Sequence, residues 1–187
     1  ILLFRQSVSP PLRIYHIAIV TRKGVASYEE AITNYRKKMN EIGYIEGKNI
    51  FYDIRYYDKN AELKEIIRDI VASDPHVIST YSTPATVEAY EQTKNLTQPI
   101  PIVFGSIADP LSAGVVHDIT RPGTNVTGVV SLASELTSNR IRLLKEINPA
   151  IKRISMPHSA DELNDASARK SVQVAQIAAQ ELGVHLI

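Results

Sequence analysis

Unbroken apolar runs and helically spaced apolar stripes take turns along this chain. Ile14, Ile17, Ala18, Ile19 and Val20 form a nearly continuous apolar run, the pattern of a strand buried on both faces. Tyr28, Ala31, Ile32, Tyr35, Met39 and Ile42 then recur at helical spacing, entered through a Ser27–Glu30 capping box and stopped at Gly43. Over residues 49–57, Ile50, Tyr52, Ile54 and Tyr56 alternate with Phe51, Asp53, Arg55 and Tyr57, which predicts a second strand. Leu63, Ile66, Ile67, Ile70 and Val71 mark a second amphipathic helix. A third strand is expected over 76–80, a helix from Pro84 to about Lys94, a fourth strand over 100–104, and a short helix from Pro110. Arg121-Pro122-Gly123 is a turn signal, and a fifth strand is expected over 126–130.

Strands alternating with connections of helical length predict an α/β fold: a Rossmann-like parallel sheet flanked by helices on both faces, with right-handed crossovers. A second cycle starts after Val130. Leu136, Arg140, Leu143, Leu144 and Ile147 share a helical face. A strand over 151–156, a helix carrying Val172, Ala175, Ala179 and Leu182, and a strand from Val184 follow. Residues 1–12 read as a lead-in or signal remnant, 13–131 as an N-terminal α/β lobe, and 132–187 as an incomplete second lobe, too small to cover both faces of its own sheet.

Composition narrows the function classes. Hydrophobic residues make up 44% of the 187 and charged residues 22%, enough to bury a core, and the formal net charge of +1 is spread over scattered Lys and Arg. No nucleic-acid partner is expected from that distribution, and no apolar run reaches the roughly 20 residues of a membrane helix. The absence of cysteine excludes thiolate metal sites and cysteine nucleophiles within these residues. The five histidines are isolated, and no dinucleotide fingerprint, Walker loop or nucleophile elbow is present, so no metal, cofactor or catalytic residue is expected.

The candidate chemistry sits where strands give way to helices. In open parallel α/β sheets, ligands bind at that edge. Ser82, Thr83 and Pro84 follow the third strand, with Thr83 as N-cap and Pro84 at the first helical position. Free N–H groups and the helix dipole there favour an anion such as an amino-acid carboxylate, and the alternative is that Thr83 only caps its helix. Asp109, before Pro110, reads equally as a cap or as an acceptor for a ligand ammonium. Ser106 lies on the same rim. Thr21 and Arg22 end the first strand, and Arg22 can pair a carboxylate bidentately. Thr127, beside Gly128, marks a close approach by either a ligand or a neighbouring helix. Tyr81 is read as core, with ligand stacking as the alternative. Ser159 and Asp161 are the second-lobe residues that would face the cleft.

Several short motifs in fixed order carry a family likeness. They are Gly43-Tyr44 with Glu46-Gly47-Lys48-Asn49, Asp74-Pro75-His76-Val77-Ile78, and Thr83-Pro84-Ala85. Ile100-Pro101-Ile102-Val103-Phe104, Ala108-Asp109-Pro110 with Ala113-Gly114, and Arg121-Pro122-Gly123-Thr124-Asn125-Val126-Thr127-Gly128 follow. In this, residues 13–187 resemble the ABC-transporter substrate-binding proteins of the tryptophan- and aromatic-amino-acid-binding type. The resemblance implies a type I periplasmic-binding-protein lobe plus a partial second lobe, in a periplasmic or extracellular protein. It also implies capture of a small zwitterionic ligand, such as an aromatic amino acid, for a membrane permease. A ligand-sensing regulatory or signalling module of the same fold is the alternative, and an α/β enzyme without recognisable motifs is the third reading.

Overall fold

The computed structural model describes residues 13–157 and 166–187, so the lead-in and the Ser159 and Asp161 contacts lie outside the described residues. The first lobe runs β1 (Tyr15–Arg22), α1 (Ala26–Glu41), β2 (Ile50–Tyr57), α2 (Leu63–Ala72), β3 (Val77–Tyr81), α3 (Thr83–Thr93), β4 (Ile102–Ile107) and β5 (Val126–Val130). All five strands are parallel, in the order β2-β1-β3-β4-β5. The chain leaves β1 towards one edge and returns at β3 on its other side. The crevice between the C-terminal ends of β1 and β3 is therefore the topological switch point of the sheet.

Alternation along the strands sorts their side chains onto two faces. Ala18, Val20, Tyr57, Ile78, Ile102 and Phe104 pack with Ile67 and Ile70 of α2 and Ala85 and Ala89 of α3 into the larger core. Ile17, Ile19, Tyr52 and Tyr81 pack against Ile32 of α1 on the other face. Helices flank both faces, as expected, although among the described residues the cover of this second face is open over β4 and β5. Val103 and Val129 stay exposed, and a groove of about 430 Å³ lined by Tyr35, Met39, Val103 and Val129 runs across the strands.

Two close approaches fix glycine. A Cβ on Gly105 would lie 2.3 Å from the Tyr81 ring, so Tyr81 fills the space over β4, as the core reading requires. A Cβ on Gly128 would lie 2.1 Å from the Phe104 carbonyl oxygen. The group approaching Gly128 is thus the neighbouring strand, neither ligand nor helix.

Local chemistry shifts several element ends. Gly24, at a φ of +76°, turns the chain so that α1 starts at Ala26 with Val25 as N-cap. Ser27 falls inside the first turn and the expected capping box does not form. Likewise α3 starts at Thr83 with Ser82 as N-cap, moving Thr83 out of the capping position and Pro84 to the second helical position. β4 continues to Ile107, so Ser106 is within the strand. After Asp109 the chain makes a single turn, with Ala113 N–H donating to Asp109 O at 3.1 Å, and no helix follows. Gly114, at a φ of +72°, ends that turn.

Beyond residue 131 come α4 (Thr137–Ile147), β6 (Arg153–Ile154), α5 (Ala166–Glu181) and β7 (His185–Leu186). β6 and β7 form a separate parallel pair. Ile141 of α4 and Ala175 and Ala178 of α5 form its core with Ile154 and Leu186.

Candidate functional site

The β3–α3 turn is pinned from three sides. Thr86 Oγ1 donates to the Ser82 carbonyl at 2.8 Å, and Thr80 Oγ1 lies 2.7 Å from Thr86 Oγ1, tying strand to helix. Ser82 Oγ accepts from the Ala85 N–H at 3.3 Å and lies 2.7 Å from the Tyr57 hydroxyl oxygen. These contacts hold Ser82 at a φ of 141°, a backbone region that glycine alone enters easily. The first N–H groups of a helix have no helical partner. With Ala85 engaged by Ser82, the Thr83 N–H is left at the helix start.

Above that turn opens a cavity of about 650 Å³ at the C-terminal edge of the sheet. Arg22, Ser82, Thr83, Pro84 and Ser106, each expected at a site from sequence, line it together. Val25, Ser27 and Tyr28 at the start of α1, Tyr57 at the end of β2, Asn60 beyond it, Ala108 after β4, and Ser131 and Ala133 after β5 extend the wall. These were missed, yet all but Tyr57 lie just beyond strand ends, the same signal that singled out Ser82. Ala168 of α5 closes the cavity from the second lobe.

Arg22 is the one charged side chain among the described residues of the wall. Among the described residues no carboxylate lines the cavity, so they offer hydroxyls, an N–H and a cation, a set suited to oxygen anions.

Three expected residues stand elsewhere. Thr21 is fully buried in β1, beneath the rim. Thr127 is exposed near the N-terminal end of β5, beside Pro101 and Pro122, at the far edge of the sheet from the cavity. Asp109 is buried and already occupied: its carboxylate accepts from Ser112 N at 3.0 Å, from Ser112 Oγ at 2.6 Å, and from Lys170 Nζ of α5. Asp109 thus caps its own turn, and the ammonium it binds belongs to the chain and not to a ligand. Within residues 132–187, Ser171 Oγ of α5 donates to Ser134 Oγ at 2.8 Å and ties α5 to the segment that follows β5.

Burial pushes the Asp109 carboxyl upward, but the hydrogen bonds from Lys170 and Ser112 outweigh it and hold the group below its ordinary 3.8. A depressed folded-state value means the stabilisation is present above the unfolded pKa and is lost as pH falls through the folded one. The stability advantage of the wild type over Asp109→Asn should therefore be full at pH 6 and shrink steadily below pH 3.8. Thermal melts of both proteins between pH 6 and 2.5 check this.

No group of three or more histidine, aspartate or glutamate side chains among the described residues can hold a metal ion. No helix of the described residues is long and apolar enough to cross a membrane.

Known proteins share this arrangement. A curated tyrosine-binding protein of Clostridioides difficile (strain R20291) is 30% identical over 139 residues, 74% of this chain and 39% of that protein. The crystal structure of a conserved domain protein from Vibrio cholerae O1 biovar El Tor superposes with a TM-score of 0.84 at 26% identity, covering 94% of this chain and 56% of the other. An ABC domain from Streptococcus pneumoniae, solved in complex with L-Trp, superposes with a TM-score of 0.80 at 20% identity, covering 93% and 56%. The chain thus spans about half the length, or less, of these relatives. The model of one family, described as ABC transporter substrate binding protein, matches residues 17–187, which take in both sheets and the whole cavity wall. A cavity at the switch point of the sheet, on a fold shared with binding proteins, agrees with that match, and the chain belongs to the ABC transporter substrate-binding protein family.

Proposed function

We propose that this chain is part of an extracytoplasmic solute-binding protein that captures an aromatic amino acid for an ABC importer. In this reading the ligand carboxylate rests at the start of α3, against Ser82 Oγ and the Thr83 N–H, with Arg22 as its counter-charge. The observation that carries the reading is the cavity itself: hydroxyls, a helix N-terminus and one guanidinium converge on one space. Tyr28 in the same wall supplies aromatic surface. The printed names of two relatives, one tyrosine-binding and one solved with L-Trp, point to the same ligand class.

Lys170 takes the place at Asp109 first considered for the ligand ammonium, so Asp109 is not assigned to the ligand. Capture proceeds by closure of the lobes around the ligand, which favours the closed form only through contacts made in that form alone. The membrane permease is the partner that such a protein serves.

Calorimetric titration of the intact protein with L-tyrosine and L-tryptophan tests the reading. Binding of at least one is expected, and Arg22→Met should weaken it by about tenfold or more, the loss expected for a charge-assisted pair. Heat of binding for neither at millimolar concentration, or an Arg22→Met variant with unchanged affinity, would overturn it.

A further inference from the structure

Tyr57 is the last residue of β2, in register with Arg22 of β1. It sits in the larger core, 1% exposed, with its hydroxyl oxygen at the cavity wall 2.7 Å from Ser82 Oγ. A core ring with so little exposed surface cannot swing, so the hydroxyl is held in one place. A serine hydroxyl has one hydrogen to give and two lone pairs to receive with. One lone pair of Ser82 already accepts the Ala85 N–H. A phenolic O–H is the better donor and the poorer acceptor of the two hydroxyls, because its oxygen lone pair is delocalised into the ring.

We propose that the Tyr57 hydroxyl donates to Ser82, filling the second lone pair and turning the single Ser82 hydrogen into the cavity as an obligatory donor. Tyr57 is then a positioning residue acting through Ser82. It sets the polarity of the subsite, which accepts a carboxylate oxygen and gives no acceptor to a ligand that can only donate there. The unusual backbone of Ser82 fits this role, because a φ of 141° places Oγ between two donors at once. The inference rests on the reading above, that the start of α3 holds the ligand carboxylate.

The test compares L-tyrosine with L-tyrosinol, the same molecule with the carboxylate replaced by an alcohol, on the wild type, Tyr57→Phe, Ser82→Ala and the double variant. Tyr57→Phe should weaken L-tyrosine by about tenfold, as expected for a lost hydrogen bond to a charged group, and change L-tyrosinol less than about twofold. The Tyr57→Phe loss should vanish in the Ser82→Ala background, since the two residues act in series. Ser82→Ala alone should narrow the preference for L-tyrosine over L-tyrosinol, which keeps the proposal open to test if Tyr57→Phe fails to fold. Equal weakening of both compounds, no weakening at all, or an undiminished Tyr57→Phe effect without Ser82 would overturn the proposal. A wild type that binds neither L-tyrosine nor L-tryptophan overturns the functional reading itself, and this inference with it.

Discussion

Alanine at position 128 should lower the stability of this protein by about 2–3 kcal/mol, the range for forcing a group into a filled core. Gly128 pairs directly with Phe104 across the β4–β5 ladder. An added Cβ would stand 2.1 Å from the Phe104 carbonyl oxygen and 2.6 Å from the root of its ring. The ring can turn, but the carbonyl belongs to the sheet backbone and cannot move without breaking the register. β5 is an edge strand, so the strain is relieved by peeling it outward, which exposes Val126 of the core. Thermal unfolding should show a midpoint lower by roughly 5–10 °C for a chain of this size. A midpoint within a degree of the wild type would mean that the approach of Phe104 is not a constraint.

Methionine in place of Lys170 should cost about 1–2 kcal/mol and loosen the second lobe from the first. Removing one partner of a buried ion pair typically costs more than that, because the other charge is left stranded. Here the Asp109 side chain is 6% exposed but Lys170 is 39% exposed, so water reaches the ammonium side and reduces the loss. Ser112 continues to donate to the carboxylate and moderates it further. The diagnostic result is the double variant: Asp109→Asn with Lys170→Met should be more stable than Lys170→Met alone, since no charge then lies buried without a counter-ion. Urea unfolding monitors stability, and amide exchange in α5 monitors the attachment of the second lobe. Unchanged stability and exchange in Lys170→Met would show that the pair does not hold the lobes together.

The strands and helices of the first lobe were legible because their patterns are unmixed. The run from Ile17 to Val20 and the stripe from Leu63 to Val71 each fit one period only, and β1 and α2 stand where those periods place them. Ends were less legible because they depend on single backbone angles. Gly24 and Ser82 shift the starts of α1 and α3 by two residues and by one, and neither angle is visible in the order of residues. Pro110 after Asp109 looked like a helix start, but Gly114 stops the chain after one turn.

The candidate site followed a similar division. Arg22, Ser82, Thr83, Pro84 and Ser106 lie at or near strand ends in sequence, and parallel topology brings such ends to one edge. Thr127 misled because a glycine beside it signalled a close approach without naming the group that approaches. Tyr57 was hidden by its place in an alternating strand, where nothing distinguishes it from Phe51, which is 54% exposed. Lys170 was hidden by distance: it lies 61 positions from Asp109 and meets it only after both lobes have folded.

The most direct measurement for the whole account is a crystal structure of the intact protein grown with L-tyrosine. The account predicts the ligand in the cavity between the starts of α1 and α3, with a carboxylate oxygen at about 2.7–3.2 Å from Ser82 Oγ or the Thr83 nitrogen and the Arg22 guanidinium beside it. Density for the amino acid in the apolar groove beneath Val103 and Val129, or in the cavity with its carboxylate turned away from α3, would contradict it.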